Sequence, residues 1–433
     1  MFENNIIWIL LVGLVGIWIS LDFIQAMFSS IKEGKEGEQE QEGEGEQEQE
    51  EEEKEEKEEE LEDRPSSNDN RDKLTGVSKS DGPVAVTGAS GYIGSRVVED
   101  LMHQGYQVHA CVRDVSNEKK VDHLRNLNEQ GLEGSVELFE SDLLEKGSYD
   151  KAFEGCSGII HCGAALGFNR ETPQEVYDGC FTQNEHVIES VKRAGTVKRF
   201  VFTSSFAAVG HPRPEGYVFT EKDWCGDNVE GYGGAWTEEN ISKNRDIAYA
   251  MAKANTEKMI YKAAEEDGNF EAISINPLHV IGPLMSDNHN QFFSWQFWIG
   301  QLLKGLDFGY WKERQLRGST MLWNMVDVRD VARAHRLGTE SPNAKNGSRY
   351  ILSATDRSGE MFTWELQAKL KELFPEIENI GGEEMEDGKP KEKTYDSPRS
   401  YCSLAIDELG LSTYSIEDTL KETGDSYKAL NLL

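Results

Sequence analysis

Cysteine is sparse and unpaired in this 433-residue chain: Cys111, Cys156, Cys162, Cys180, Cys225 and Cys402 are scattered, and none sits in a CxxC pair. That spacing excludes a disulfide framework and a zinc-ribbon type of metal site, and reduced thiols in a cytosolic compartment are expected. Clusters of Lys or Arg are also missing. The formal net charge is −34, so nucleic acid is excluded as a partner, because binding phosphate backbones needs basic patches. The first five residues, MFENN, carry no Lys or Arg, so the basic n-region of a cleavable signal peptide is absent.

The next stretch is apolar. Residues 6–28 run uncharged from Ile6 to Asp22 and continue through FIQAMF, a length that crosses a bilayer as one helix. Trp8 and Trp18 lie towards its ends, and Lys32 and Lys35 come after it. The positive-inside bias therefore places the rest of the chain in the cytosol, on a membrane such as the endoplasmic reticulum. Residues 32–63 hold 19 acidic and 4 basic side chains. A segment with so few apolar groups cannot bury a core, and like charges at i,i+4 oppose a helix. Residues 29–81 are expected to be a disordered, self-repelling acidic tether, with a docking tail for a basic partner as the sharper alternative.

Globular composition begins near Gly82. Val84, Ala85 and Val86 suit a buried parallel strand, the loop Gly88 to Gly94 comes next, and SRVVEDLM has helical apolar spacing. Strand, glycine turn and helix are the context that gives such a loop meaning. Gly88 permits the tight turn, Gly91 the approach of backbone to a pyrophosphate, and Gly94 close helix–strand packing. The helix start offers free N–H groups to the phosphates. The next strand ends at Arg113, with Lys120 seven residues on. A cation there accommodates the 2′-phosphate of NADP, whereas an acid selects NAD. Asp114 is the counter-signal, but strand alternation turns it away from Arg113. Further strands at βαβ intervals place Asp142 and Leu143, then Gly163, Ala164 and Ala165, at strand ends.

The strand RFVFTSS ends in Ser204 and Ser205, and RDIAYAMAKANTEKMIYKAAEE reads as a helix. Tyr249 and Lys253 are four apart and share a face of it. A tyrosine protonates a carbonyl oxygen when its pKa is lowered, and a lysine one turn away favours the phenolate. A serine hydroxyl at the neighbouring strand end can hold the carbonyl.

From about Gly82 to Leu433 the chain resembles the extended short-chain dehydrogenase/reductases, with the NAD-dependent epimerase/dehydratase type of domain. Within them it is most similar to the dihydroflavonol reductase and cinnamoyl-CoA reductase group. The residues that carry the likeness are VTGASGYIG, VRD with Lys120, FTSS, Glu221 with Trp224, YAMAK, INPLHVIGP, VDVRDVARAH and the closing YCSLAIDELGLSTYSIEDTLKET. The resemblance implies Ser205 as the substrate-polarising hydroxyl, with Ser204 as the alternative. It implies Tyr249 as general acid/base and Lys253 as ribose-binding modulator. NADP(H), in preference to NAD, would be held by Gly88, Ser90, Gly91, Tyr92, Ile93, Gly94, Arg113, Lys120, Asp142, Leu143, Ala164, Tyr249, Lys253 and Pro277, with no metal. There are departures. Gly210 stands where flavonoid reductases carry asparagine, which argues against a dihydroflavonol. Gln183 and Asn184 replace a small Gly-Thr pair, and the insertion before Tyr249 is long and glycine-rich.

The fold expected is α/β: a Rossmann doubly wound parallel sheet with a smaller C-terminal substrate-binding part, preceded by one transmembrane helix and the acidic linker. The Rossmann core would span about 82–275 plus 325–340, and the substrate part mainly 206–248, 278–324 and 341–433. Phe292, Phe293, Trp295, Phe297, Trp298, Phe308, Tyr310 and Trp311 are either helix packing or a wall for a large apolar ligand; His279 reads as a packing residue. The expected activity is NADPH-dependent reduction of a ketone, aldehyde or acyl thioester of a hydrophobic substrate. The alternatives are an NAD-linked 3β-hydroxysteroid or sterol dehydrogenase, a nucleotide-sugar epimerase or dehydratase, and a non-catalytic NADP-binding scaffold. A homodimer is among the expected assemblies.

Overall fold

Alternation along each short apolar strand decides which layer its side chains enter. In the computed structural model Val84 and Val86 join one buried cluster with Val97, Leu101, Ile160, Val201 and Val331. Ala85 faces the other way, into a second cluster with Ile159, Phe200, Phe202, Val187 and Ile260. A sheet apolar on both faces must be covered on both, and parallel strands joined by helical crossovers achieve this. The structure describes residues 76–163, 172–210, 213–214, 216–227, 237–291, 294–305, 322–353, 359–382 and 399–433. The run 6–28 and the acidic stretch lie outside the described residues, as do Ala164, Ala165, Phe292, Phe293, Phe308, Tyr310 and Trp311.

The elements that position the site are, in order, β1 (Val84–Thr87), α1 (Tyr92–His103), β2 (Gln107–Val112), α2 (Glu118–Arg125), β3 (Ser135–Glu140), α3 (Asp150–Phe153), β4 (Gly158–His161), α4 (Pro173–Ala194), β5 (Arg199–Thr203), β6 (Val218–Phe219), α5 (Arg245–Asp267), β7 (Glu271–Pro277) and β8 (His279–Ile281). They continue with α6 (Trp295–Leu303), β9 (Leu322–Asp327), α7 (Val328–Glu340), β10 (Arg349–Leu352), β11 (Glu360–Phe362), α8 (Thr363–Leu373), β12 (Arg399–Ser400), α9 (Ser403–Leu409) and α10 (Ile416–Ala429). The main sheet has seven strands, all parallel, in the order β3-β2-β1-β4-β5-β7-β10. Chain order reverses between β1 and β4, and a crevice opens beyond the carboxyl ends of those strands.

Local chemistry fixes the two long helices on one face. A capping box between Thr172 and Glu175, with Pro173 in the first turn, starts α4, and Gly195 ends it at φ +65°. Asn244 caps α5 through Asp246 N and Ile247 N. Two expected boundaries change. β10 belongs to the main sheet beside β7, so the Rossmann layer reaches beyond residue 340. The packed chain also begins before Gly82: Val77 is 1% exposed in the first cluster and its N–H bonds Thr339 O at 2.9 Å. Those residues were expected to be tether.

The smaller part is built on a three-stranded sheet, β11-β9-β8. Its core joins Ile281, Ile299, Leu302, Trp323, Met325, Leu366, Phe374 and Leu420, with Trp295 and Trp298 packed against it. All six cysteines are free thiols. Among the described residues no helix is long and apolar enough to cross a membrane.

Candidate active site

The glycine loop is shaped by contacts that no side chain could enter. A Cβ at Gly94 would lie 2.2 Å from Gly88 O, and one at Gly88 would lie 2.8 Å from Gly163 Cα. Gly88 also has φ +63°, a conformation costly for any other residue. The turn after β1 and the turn after β4 therefore touch at the switch point. Gly91 is the N-cap of α1 with no side-chain cap, leaving N–H groups free for an anion. Ser90, Gly91, Tyr92 and Ile93 line this turn, partly exposed. Tyr92 donates to Gly282 O at 2.8 Å, which ties the loop to the smaller part.

Arg113 and Lys120 stand exposed just past β2 and on α2. Neither has an ion-pair partner among the described residues, so both charges are available to a phosphate. Asp114 is occupied: its Oδ1 accepts the Ser116 N–H at 2.9 Å and the Ser116 hydroxyl at 2.6 Å. These bonds hold its pKa below the usual value. Asp142 accepts the Leu144 N–H at 2.9 Å. Leu143 leans over Gly163, where a Cβ would meet its Cδ1 at 3.3 Å. Ala164 lies outside the described residues. Pro277 ends β7, fully in the sheet. These strand ends, with the glycine loop, lie along the carboxyl edge of the sheet.

Ser205, Tyr249 and Lys253 come together on the same rim. The Ser205 hydroxyl lies near enough to the Tyr249 phenol to lower its pKa, and the Lys253 Nζ is 6.0 Å from the Tyr249 ring centroid. Lys253 donates to Thr203 O at 3.0 Å and sits 4.7 Å over the Phe202 ring. Burial lowers its pKa, opposed by Cys180, Glu257 and Cys162. Sequence reasoning expects a lowered Tyr249 pKa. Burial instead pushes the phenol up to about 12, with Ser205 pulling the other way. With these side chains alone the phenol is protonated at neutral pH, the state a general acid needs.

The two adjacent serines are separated by their partners. Ser204 is 4% exposed and its hydroxyl bonds the Glu257 carboxylate; only Ser205 reaches Tyr249. Glu257 itself escaped the sequence reading, although it extends the Tyr249–Lys253 face by one more turn. Thr87 and His161 were missed too. Thr87 accepts the Gly163 N–H at 3.1 Å and lies 2.5 Å from His161 Nδ1, and His161 Nε2 meets Asn184 Oδ1 at 2.9 Å. Burial lowers the His161 pKa to about 3, so the ring is neutral. Asn184, out of place by family pattern, therefore has a job under the crevice.

On the substrate side, the ring of His279 lies 3.8 Å from that of Trp295, centroid to centroid, and its Nδ1 accepts the Asn324 N–H at 3.0 Å. Trp298 meets Phe297 edge-on at 5.2 Å. Gly210 faces Phe206, whose Cε1 would be 2.7 Å from an added Cβ. The ring occupies the space where an asparagine would start.

Known proteins share this sequence pattern and fold. Residues 84–352 match the NAD dependent epimerase/dehydratase family. A cinnamoyl-CoA reductase, CAD2, of Medicago truncatula is 32% identical over 349 residues, which is 80% of this chain and 95% of that one. A bifunctional dihydroflavonol 4-reductase/flavanone 4-reductase of Malus domestica is 31% identical, over 81% and 91%. The fold is shared with the NADPH complex of Gre2 from Candida albicans, at TM-score 0.66 and 22% identity, over 80% of this chain and 99% of that one. It is shared also with vestitone reductase from alfalfa, Medicago sativa, at TM-score 0.60 and 23% identity, over 81% and 100%.

Proposed function

The chain belongs to the NAD dependent epimerase/dehydratase family and is an NADP-dependent reductase; on that premise we propose that it reduces the carbonyl of a hydrophobic ketone, aldehyde or acyl thioester, with Tyr249 as the acid. The observation that carries this reading is the meeting of Ser205, Tyr249 and Lys253 beside the glycine loop.

The residues present fit NADPH. The glycine cradle admits backbone-close phosphates, and Arg113 and Lys120 supply unspent positive charge for a 2′-phosphate. NADPH, when bound, supplies the hydride. Ser205 would hold the substrate oxygen by a hydrogen bond, and Tyr249 would deliver its phenolic proton to that oxygen as negative charge develops. Lys253, one turn away, would stabilise the phenolate left behind whenever it carries its proton. We further propose that residues 6–28 hold this enzyme at a membrane with its crevice in the cytosol, on the length and charge pattern of that run.

A panel of simple aldehydes, flavonoids, sterols and acyl-CoAs, followed by NADPH consumption, tests the reading directly. At least one carbonyl should turn over. Tyr249→Phe should keep NADPH affinity while turnover falls on the order of 10²- to 10⁴-fold. Unchanged turnover in that variant would remove Tyr249 from the reaction.

A further inference from the structure

Beneath the rim lies a fully buried carboxylate that the reaction as described does not use. Glu257 is 0% exposed. It sits one turn after Lys253 and two after Tyr249, on their face of α5. A lone carboxylate at that depth is not tolerated without compensation. Its Oε1 accepts the Ser204 hydroxyl and, at 2.7 Å, the Asn276 amide. Its Oε2 accepts Arg349 Nε at 2.7 Å. Both charges of the pair are buried, Arg349 at 3% side-chain exposure.

The partners of Glu257 are the segments that carry the site. Ser204 precedes Ser205 at the end of β5, and Asn276 precedes Pro277 at the end of β7. The Asn276 amide also donates to Ser205 O at 3.2 Å. Arg349, from β10, donates to Glu221 O at 2.9 Å, Asp223 O at 2.6 Å and Ala208 O at 3.2 Å, and stacks 3.7 Å from the Trp224 ring. One carboxylate thus gathers the serine strand, the proline strand, the tyrosine helix and the chain that leaves Ser205.

We propose that Glu257 is a positioning residue for the reduction: by capturing Ser204 and, through Asn276, the Ser205 carbonyl, it decides which of the two adjacent serines faces Tyr249. Adjacent residues of an extended chain point to opposite sides, so fixing Ser204 inward aims Ser205 outward. Arg349 supplies the countercharge against which the buried carboxylate is packed. The inference rests on the reductase reading above for its kinetic readout, though not for its structural one.

The experiment compares Glu257→Gln, Ser204→Ala and their double variant in the full chain. NADPH affinity is read by fluorescence titration and turnover with cinnamaldehyde as probe. Amide hydrogen exchange is read at Ala207, whose N–H bonds the Ser205 hydroxyl at 3.2 Å. Glu257→Gln should leave the NADPH Kd within about twofold and the carbonyl KM within about threefold, while kcat falls roughly 30-fold; a purely architectural role would not separate kcat from both affinities. Ser204→Ala should give a smaller fall, roughly fivefold, and the double variant should be no worse than Glu257→Gln, because both act through one contact. Protection at Ala207 should drop about tenfold while β1 amides keep theirs. An unchanged kcat in Glu257→Gln, or effects that multiply in the double variant, would overturn the proposal. Should Glu257→Gln fail to fold, Ser204→Ala with the Glu257–Arg349 pair intact must still lower kcat and Ala207 protection, or the proposal fails. If the unsubstituted chain reduces no carbonyl, the reductase reading falls alone, and Ala207 exchange still decides the role of Glu257.

Discussion

The cofactor side and the covering side of this molecule are held together in different ways. Around the glycine loop the contacts are backbone on backbone: Gly94 on Gly88, Gly88 on Gly163. No side chain fits there without a clash, and little of it depends on charge. The covering side is joined by charged and aromatic side chains, some of them reaching across long stretches of chain. Arg329 binds Asp327 at 2.7 Å and lies 3.6 Å from the Tyr414 ring; it also pairs with Glu422 at 2.5 Å. Arg349 does the same between α5 and the 206–225 segment. A nucleotide of fixed shape suits the first construction. A surface open to change suits the second, because side-chain pairs can be exchanged without rebuilding strands.

The sharpest way to break this contrast is Trp323→Ala. Trp323 is 2% exposed at the centre of the small core, and its loss should cost about 3–5 kcal/mol. Hydrogen exchange should show the cost in β8, β9 and β11, with β1 and β2 protected as before; equal loss in both would mean the two sides unfold as one. Gly94→Ala attacks the other side. Overpacking against Gly88 O should cost about 1–3 kcal/mol and remove NADPH binding in a fluorescence titration. Arg113→Ala should weaken NADPH by about 1.5–3 kcal/mol, the range for hydrogen bonds to charged groups, and leave NADH nearly unchanged; equal losses for both would end the 2′-phosphate assignment.

The smallest effect concerns Asp330, in the first turn of α7. Burial and the neighbouring Asp327 raise its pKa to about 7, against the Tyr414 N–H, Arg333 and Arg329. Its folded pKa lies above the unfolded 3.8, so the native state binds more protons between about pH 4 and 7. Stability should therefore fall as pH rises through that window. Asp330→Asn should flatten the slope and gain on the order of 1 kcal/mol at pH 8 in denaturant titrations. An unaltered pH slope would show that Asp330 is already ionised at pH 4.

Legibility in the sequence divides the same way. The strand–glycine–helix unit, Arg113, and the Tyr249–Lys253 spacing are local, so period and motif suffice. The Ser204/Ser205 choice was open because a strand end offers both faces, and only Glu257, 53 residues on, decides it. Arg349 is 92 residues from its carboxylate, a separation no spacing rule reaches. The Tyr249 phenol goes the other way from expectation because burial outweighs the pull of Ser205. Val77 was hidden by its polar neighbours, since one buried valine leaves no periodic signal.

That valine has a mechanical consequence. Val77 and Gly82 sit at the amino ends of β1 and β4, with a Cβ at Gly82 only 2.8 Å from Gly155 O, while the nucleotide crevice opens at the carboxyl ends. A pull applied upstream of Val77 would load the floor of the sheet, where β1 is flanked by hydrogen-bonded neighbours on both sides. The tension would be carried as shear across two ladders and would leave the crevice slack. The bond from Val77 N–H to Thr339 O, at the seat of α7, is what such a pull would meet first.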